Sequence, residues 1–313
     1  MAVPFDRDFT VEHGRVDRLS PLIRRVVAEN PGRFTFTGTG TYIVGTDRVA
    51  VIDPGPLLDS HLEALDRALD GLTVTHILIT HTHGDHSPAA QPLKERTGAP
   101  TYGFGPHPVT DAPIAEAPIP DAGTAPQEER SDLAFVPDVV TRDGDVIVGE
   151  GWTIDALHTP GHISNHLCFA LREEKVLFTG DHVMGWSTSV IPSPDGDLTD
   201  YMANLHRLLD RDDTVYWPTH GPAITDPPTY VRALIAHRDE RTRQIVERLR
   251  TGDERIDQIV PVLYADVDPS LHPAAGRSVL AHLVALERAG TVTTDDEAPT
   301  TRSTWRLRGT APR

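Results

Sequence analysis

Three histidines and one aspartate fall within six consecutive positions of Ile79-Thr80-His81-Thr82-His83-Gly84-Asp85-His86, and no other feature restricts the fold and chemistry of this chain as much. Imidazoles packed this densely repel one another when protonated and leave lone pairs without partners when neutral, unless a cation holds them. The stretch therefore reads as metal ligands, against the alternative that the histidines cap a following helix or hydrogen-bond in the interior. His81 and His83, two apart on an extended segment, point the same way, whereas Asp85 and His86 follow the turn and point elsewhere. One loop can then serve two metals. The preceding Val74-Thr75-His76-Ile77-Leu78-Ile79-Thr80 is β-branched and apolar, a buried strand that ends where the histidines begin. The cluster is thus placed on a strand-to-helix loop, at the carboxyl end of a strand, where ligands collect in open α/β sheets.

Three further strand ends carry the same residue types. His158-Thr159-Pro160-Gly161-His162, Thr179-Gly180-Asp181-His182 and Tyr216-Trp217-Pro218-Thr219-His220-Gly221-Pro222 each set a histidine or aspartate beside glycine. The missing side chain lets a backbone approach a metal or another loop closely. Any one of them alone reads equally well as a turn. Together with the loop at 81–86 they point to one inward-facing site.

The remaining pattern is alternating. Phe34-Thr35-Phe36-Thr37, Thr41-Tyr42-Ile43-Val44 and Val49-Ala50-Val51-Ile52 predict short strands before the turn Asp53-Pro54-Gly55-Pro56. Leu58, Leu62, Leu65 and Leu69 recur at helical spacing and predict an amphipathic helix over 57–70, with a second, short helix over 87–96 ending at Gly98. Residues 104–133 shift to proline, alanine and acid, which reads as a long loop or lid, or as a merely solvated insertion. Strands resume over 145–148, 153–157, 166–171 and 176–178. Beyond Pro228 the spacing predicts helices over 229–250, 256–265 and 274–289, then a hairpin of 291–293 with 303–307, a winged-helix layout. The boundary near 224–228 divides the chain into 1–225 and 226–313. A DNA-reading winged helix needs bases on its third helix, and Arg277 with Arg288 is thin support, so no DNA partner is expected.

Composition limits the alternatives. The chain has 38% hydrophobic residues over 313 positions, an ordinary globular content. No apolar run reaches signal-peptide or membrane-span length, so a cytoplasmic protein without a membrane partner is expected. The single cysteine, Cys168, lies in an apolar run and is expected in the core, which excludes an intramolecular disulfide and argues against zinc-thiolate chemistry. With 46 acids against 29 bases the formal net charge is -17, and no global basic footprint for nucleic acid is present.

On these residues the chain resembles the metallo-β-lactamase superfamily. Its pattern of His-x-His-x-Asp-His followed by His, Asp and His on successive strand ends is matched by His81, His83, Asp85, His86, His162, Asp181 and His220, over residues 30–223. Asp53 matches the family's supporting aspartate. The resemblance implies an α/β (α+β) chain, a four-layer αβ/βα sandwich with metals in the groove between its sheets, followed by a small helical winged-helix-like domain. A nearer likeness is to the β-lactamase-like subgroup that includes animal endoribonucleases, through Asn30-Pro31-Gly32 before Gly38-Thr39-Gly40-Thr41-Tyr42, His237-Arg238 with Arg241, and the tail. Hydroxyacylglutathione hydrolases share the ligands but have a different helical tail. In true β-lactamases the position of Asp181 is a cysteine or lies outside the metal shell, so that activity is the less favoured.

The resemblance assigns His81, His83 and His162 to a first metal and Asp85, His86 and His220 to a second, with Asp181 bridging. Two Zn2+ per chain are expected, and Mn2+ or Fe suits the same nitrogen and oxygen donors. A bridging hydroxide, oriented by Asp85 as the catalytic carboxylate, would attack an ester, thioester or lactone-type small molecule. The alternative is a metal-dependent endoribonuclease with single-stranded RNA as partner, and a third reading is a scaffold with a vestigial site. His237, Arg238 and Arg241 are expected to shape the substrate site. The oligomeric state is left open.

Overall fold

Side-chain alternation along the strands sets the layering. A computed structural model describes residues 2–107 and 131–309. Seven strands, β1 (Val16–Arg18), β2 (Ile23–Val27), β3 (Gly40–Val44), β4 (Arg48–Ile52), β5 (Thr73–Leu78), β6 (Thr101–Gly103) and β7 (Val139–Val140), form one sheet in chain order. Neighbours from β1 to β4 are antiparallel, and those from β4 to β7 are parallel. The second sheet places β8 (Val146–Gly149), β9 (Trp152–His158), β10 (Leu167–Leu171) and β11 (Val176–Gly180) antiparallel in that order, then β12 (Val215–Pro218) parallel to β11.

Tyr42, Val44, Ala50 and Ile52 of the first sheet share one core with Ile154, Phe169, Leu171 and Phe178 of the second. The intervening Ile43, Val49 and Val51 pack instead with α1 (Asp59–Leu69) and α2 (Ala90–Thr97), through Leu65, Leu69 and Leu93. This is the period-two division expected of strands buried on both faces. On α1 the buried His61, Ala64, Leu65, Ala68 and Leu69 follow the i, i+3, i+4, i+7, i+8 stripe of an amphipathic helix. Beyond the second sheet, Leu157, Cys168, Ala170 and Leu177 meet α3 (Leu198–Leu208) and the first half of α4 (Pro227–Thr251), through Tyr201, Leu205, Tyr230, Val231 and Leu234. Helices, sheet, sheet and helices thus make a four-layer sandwich, with Cys168 buried in its core.

The later half of α4 enters another core. Ile245 and Leu249 pack with α5 (Ile256–Leu263), α6 (His272–Arg288) and the hairpin of β13 (Val292–Thr293) and β14 (Arg306–Leu307), around Ile259, Leu280, Leu283 and Trp305. Three helices and a hairpin give the winged-helix layout. Asp226 caps α4 by accepting from the Thr229 amide, one residue after the expected boundary, yet the helix that follows contributes to both cores. No helix among the described residues is long and apolar enough to cross a membrane. Most of the acidic stretch expected as a loop or lid, residues 108–130, lies outside the described residues.

Two local expectations are corrected. Phe34-Thr35-Phe36-Thr37 is no strand but a turn closed by reciprocal backbone bonds between Gly32 and Phe36, with Phe36 at φ 54°. Thr35 Oγ1 donates to the Asn30 carbonyl at 2.6 Å and the Asn30 side chain engages Thr39, so local side-chain bonds displace a ladder there. Strand β2, by contrast, was hidden by Arg24 and Arg25, which break its apolar run. Arg24 donates to the Gly45 carbonyl at 2.8 Å and the Arg25 guanidinium lies over the Phe9 ring, so both are accommodated within the sheet.

Phe169, fully buried between the sheets, and Val148, 65% exposed at the sheet edge, test this layering. Phe169→Ala is expected to cost ~3–5 kcal/mol of unfolding free energy. Val148→Ala should stay within ~0.5 kcal/mol, both read by urea denaturation.

Candidate metal centre

The expected ligands converge at the carboxyl ends of the strands. The loop after β5 supplies His81, His83, Asp85 and His86, the turn after β9 supplies His162, and the ends of β11 and β12 supply Asp181 and His220. Their donor atoms fall into two groups, His81, His83, His162 and Asp181 in one and Asp85, His86 and His220 in the other. In the first, His83 Nδ1 lies 2.9 Å from His81 Nε2 and 3.0 Å from His162 Nε2. In the second, Asp85 Oδ2 lies 3.1 Å from His220 Nε2 and 3.5 Å from His86 Nε2. Asp181 faces both, with Oδ2 3.6 Å from His162 Nε2 and Oδ1 3.4 Å from His220 Nε2.

Outer partners fix which nitrogen each ring turns inward. His162 Nδ1 donates to the Val190 carbonyl at 2.6 Å and His220 Nδ1 to the Gly38 carbonyl at 3.1 Å. A carbonyl only accepts, so both rings carry the proton outside and a lone pair on Nε2 inside. His86 Nδ1 donates to Asp53 Oδ2 at 2.8 Å. The Thr80 hydroxyl gives its proton to Asp53 at 2.7 Å and therefore accepts from His81 Nδ1 at 3.0 Å. Four rings thus present Nε2, while His83 presents Nδ1. His86 Nε2 and Asp181 Oδ1 are buried with no hydrogen-bond partner among the described residues. Buried polar atoms left this way require an explanation, and a cation between them supplies one.

The electrostatics agree. Burial and the neighbouring imidazoles hold His81 and His83 well below the ordinary histidine range, which keeps their lone pairs available. Burial opposes protonation of His86 as well, but the carboxylates of Asp85, Asp181 and Asp53 outweigh it and push the ring up to about 10. That basicity measures how negative the second group is toward any cation. Burial raises the Asp85 carboxyl, yet His86, His220 and His83 overcome this and hold it well below the carboxylate range.

Asp53 organises the surroundings from a fully buried position. It accepts from the Thr80 amide at 2.8 Å, from the Thr80 and Thr219 hydroxyls, and from His86. Thr39, held by Asn30, places its hydroxyl 3.3 Å from Asp85 Oδ2, and His166 Nε2 accepts from the Asp181 amide at 3.1 Å. The supporting roles of Thr80, Thr219, Thr39 and His166 were not read from the sequence. For Thr80 and Thr219 the one available signal was a threonine beside an expected ligand at the end of a strand. Glycine is required at two of these ends: a Cβ on Gly180 would lie 2.5 Å from His166 Nε2, and one on Gly161 2.5 Å from Tyr201 Cα.

The residues expected to shape substrate are on α4, apart from the cluster. His237 is half-buried. Arg238 is buried and donates to the Ser189 carbonyl at 2.5 Å, with its guanidinium over the Tyr201 ring. Arg241 donates to the Leu263 carbonyl at 2.9 Å and stacks on Tyr264. Both arginines donate to backbone carbonyls within the protein.

Removing the central carboxylate should be costly. Asp53→Ala would leave the Thr80 amide and His86 Nδ1 buried without an acceptor, and a loss of ~3–5 kcal/mol in denaturant unfolding is expected.

Residues 35–220 match the metallo-beta-lactamase superfamily, and residues 256–305 match the beta-lactamase associated winged helix domain. The chain is 34% identical to the lactamase-like protein adaB of Aspergillus niger, over 77% of this chain and 68% of that protein. It is 32% identical to an atrochrysone carboxyl ACP thioesterase of Claviceps purpurea, over 80% of this chain and 74% of that one. Its fold is similar to that of a metallo-beta-lactamase family protein from Thermus thermophilus, with a TM-score of 0.73 at 22% identity, covering 93% of this chain and 100% of the other. A beta-lactamase domain protein from Burkholderia ambifaria gives 0.75 at 23% identity, covering 94% of each. The chain therefore belongs to the metallo-β-lactamase superfamily, a hydrolase that carries the associated winged helix domain.

Proposed function

We propose that this hydrolase cleaves acyl thioesters at a dinuclear metal centre, with esters and lactones as its nearest chemical alternatives. The observation that carries the reading is Asp181, whose two carboxylate oxygens face two separate groups of donors. On this reading His81, His83 and His162 hold one ion, Asp85, His86 and His220 hold the other, and Asp181 lies between them. Nitrogen and oxygen donors without thiolate favour Zn2+, with Mn2+ or Fe as competitors. Divalent ions held there would act as Lewis acids and make water a competent nucleophile at neutral pH.

The chain's own groups do the rest. Asp85 stays ionised and is steadied by the Thr39 hydroxyl and His220, so it can accept a hydrogen bond from the attacking water, orient it and take part in passing its proton on to the departing sulfur. Water oxygen bonds to the acyl carbon and the carbon–sulfur bond breaks. A thiol of ordinary pKa, about 8.5, leaves as thiolate without prior protonation, so thioester cleavage asks less of the site than amide cleavage. The thioesterase names of relatives from Claviceps purpurea and Paecilomyces divaricatus, the latter 31% identical, support this substrate class. The RNA alternative drew on the winged-helix tail and on His237-Arg238; Arg238 is engaged internally, and a net charge of -17 opposes phosphate binding. The same reading divides the chain into a catalytic part, 1–225, and a winged-helix part, 226–313, with α4 packing against both.

Metal analysis of the fully loaded protein should find two ions per chain, and a chelator should abolish hydrolysis of an acyl thioester. Asp181→Ala should lower kcat by about 100-fold or more while the protein stays folded. One ion at saturation, or hydrolysis indifferent to chelator, would sink the proposal.

A further inference from the structure

Arg238 lies on a helix shared with the C-terminal part, yet its guanidinium is buried against the sandwich and donates to the Ser189 carbonyl at 2.5 Å. The adjacent Val190 carbonyl accepts from His162 Nδ1 at 2.6 Å. One peptide step separates the two bonds. Ser189 is braced further by its hydroxyl, which donates to the His182 carbonyl at 2.8 Å and lies 3.4 Å from the Tyr201 hydroxyl. Tyr201 carries the Arg238 guanidinium over its ring and presses its backbone against Gly161, next to His162. The ring of His162 is therefore oriented by the 189–190 segment and its backbone is backed by Tyr201, and Arg238 supports both.

We propose that Arg238 is a positioning residue for His162, holding the Ser189–Val190 peptide so that this ring presents Nε2 to the first group of metal donors. The inference rests on His162 being a metal ligand, as proposed above. A buried cation is costly unless it is well paired, and Arg238 Nε is itself buried with no hydrogen-bond partner among the described residues, so packing alone accounts poorly for an arginine here. Its bond to Ser189 is charge-assisted and roughly twice as strong as a neutral one. Without it the peptide can rotate, Val190 loses its aim, and His162 Nε2 leaves its place 3.0 Å from His83 Nδ1. The second group does not depend on this segment: His86 is oriented by Asp53 and His220 by the Gly38 carbonyl. Loss of Arg238 should therefore weaken one ion and spare the other, a pattern that general loosening of the fold would not give.

The test is Zn2+ binding to the full chain by chelator competition, with wild type, His162→Ala, Arg238→Met, Arg238→Lys and Arg241→Met. His162→Ala should identify the weakened event, and Arg238→Met should lower the affinity of that same event about 10–100-fold, leaving the other within about threefold. Arg238→Lys keeps a donor for Ser189 and should restore most of the loss. Arg241→Met removes a contact on the same helix and should leave both events unchanged. Wild-type affinities in Arg238→Met, equal weakening of both events, or the same loss in Arg241→Met would overturn the inference. Should Arg238→Met fail to fold, Arg238→Gln, polar but shorter and uncharged, decides by NMR of the metal-free protein: its His162 Nδ1–H resonance should shift, and an unchanged resonance overturns the inference. If His162→Ala leaves both events intact, the ligand assignment itself fails, an outcome distinct from an effect of His162 that Arg238→Met does not share.

Discussion

One buried carboxylate ties the structure together. Asp53 follows the last residue of β4 and accepts from Thr80, beyond β5 in the same sheet, and from Thr219, beyond β12 in the other. Two sheets packed face to face through apolar side chains have no strong preference for how their ends align. A charge that must find its donors does, because leaving it unsatisfied in the interior costs more than any single apolar contact returns. Tyr42 adds a second tie between the sheets, its hydroxyl donating to the Pro218 carbonyl at 2.6 Å. The groove at the strand ends, and the convergence of loops within it, follow from that alignment.

The same network governs chemistry at a finer scale. Imidazole is ambiguous as a donor, and the fold removes the ambiguity by placing an acceptor behind four of the five rings: a backbone carbonyl for His162 and His220, a carboxylate for His86, a committed hydroxyl for His81. Which nitrogen each of these rings turns inward is fixed before anything binds. Much of the cost of organising such a centre is thereby met during folding, when the sheets and their end loops assemble.

How far this was legible in the sequence depended on the range of each interaction. The seven inward residues stand out because chemistry confines them to strand ends beside glycine, and the local pattern carries that information. The four layers were expected from the family resemblance alone, since Tyr42, Ile43 and Val44 are all apolar and only the structure sends Ile43 to the helices and its neighbours to the other sheet. The turn at 34–37 misled because its residues favour strands, while Asn30, several positions away, captures Thr39 and bends the chain. Arg24 and Arg25 hid a strand for the opposite reason, since their partners, Gly45 and Phe9, are distant in sequence. Arg238 and Arg241 were expected to shape the substrate site, and their bonds to the Ser189 and Leu263 carbonyls are visible only in the tertiary structure. His166 sits in an apolar run and reads as core, yet it fixes the Asp181 backbone.

Helix α4 has 25 residues and extends about 37 Å without a break. Its opening turns wall the sandwich through Tyr230, Val231 and Leu234, and its closing turns wall the winged helix through Ile245 and Leu249. The two parts therefore have no natural seam in a loop. A chimera that exchanged the tail between relatives by joining at residue 226 would import foreign side chains into the sandwich wall and, with them, a foreign residue at position 238. Grafting that respects the structure has to keep the first four turns of α4 with the parent sandwich and splice within the helix, between the two cores. Inheritance faces the same rule, so tail and groove are expected to vary as one unit across relatives.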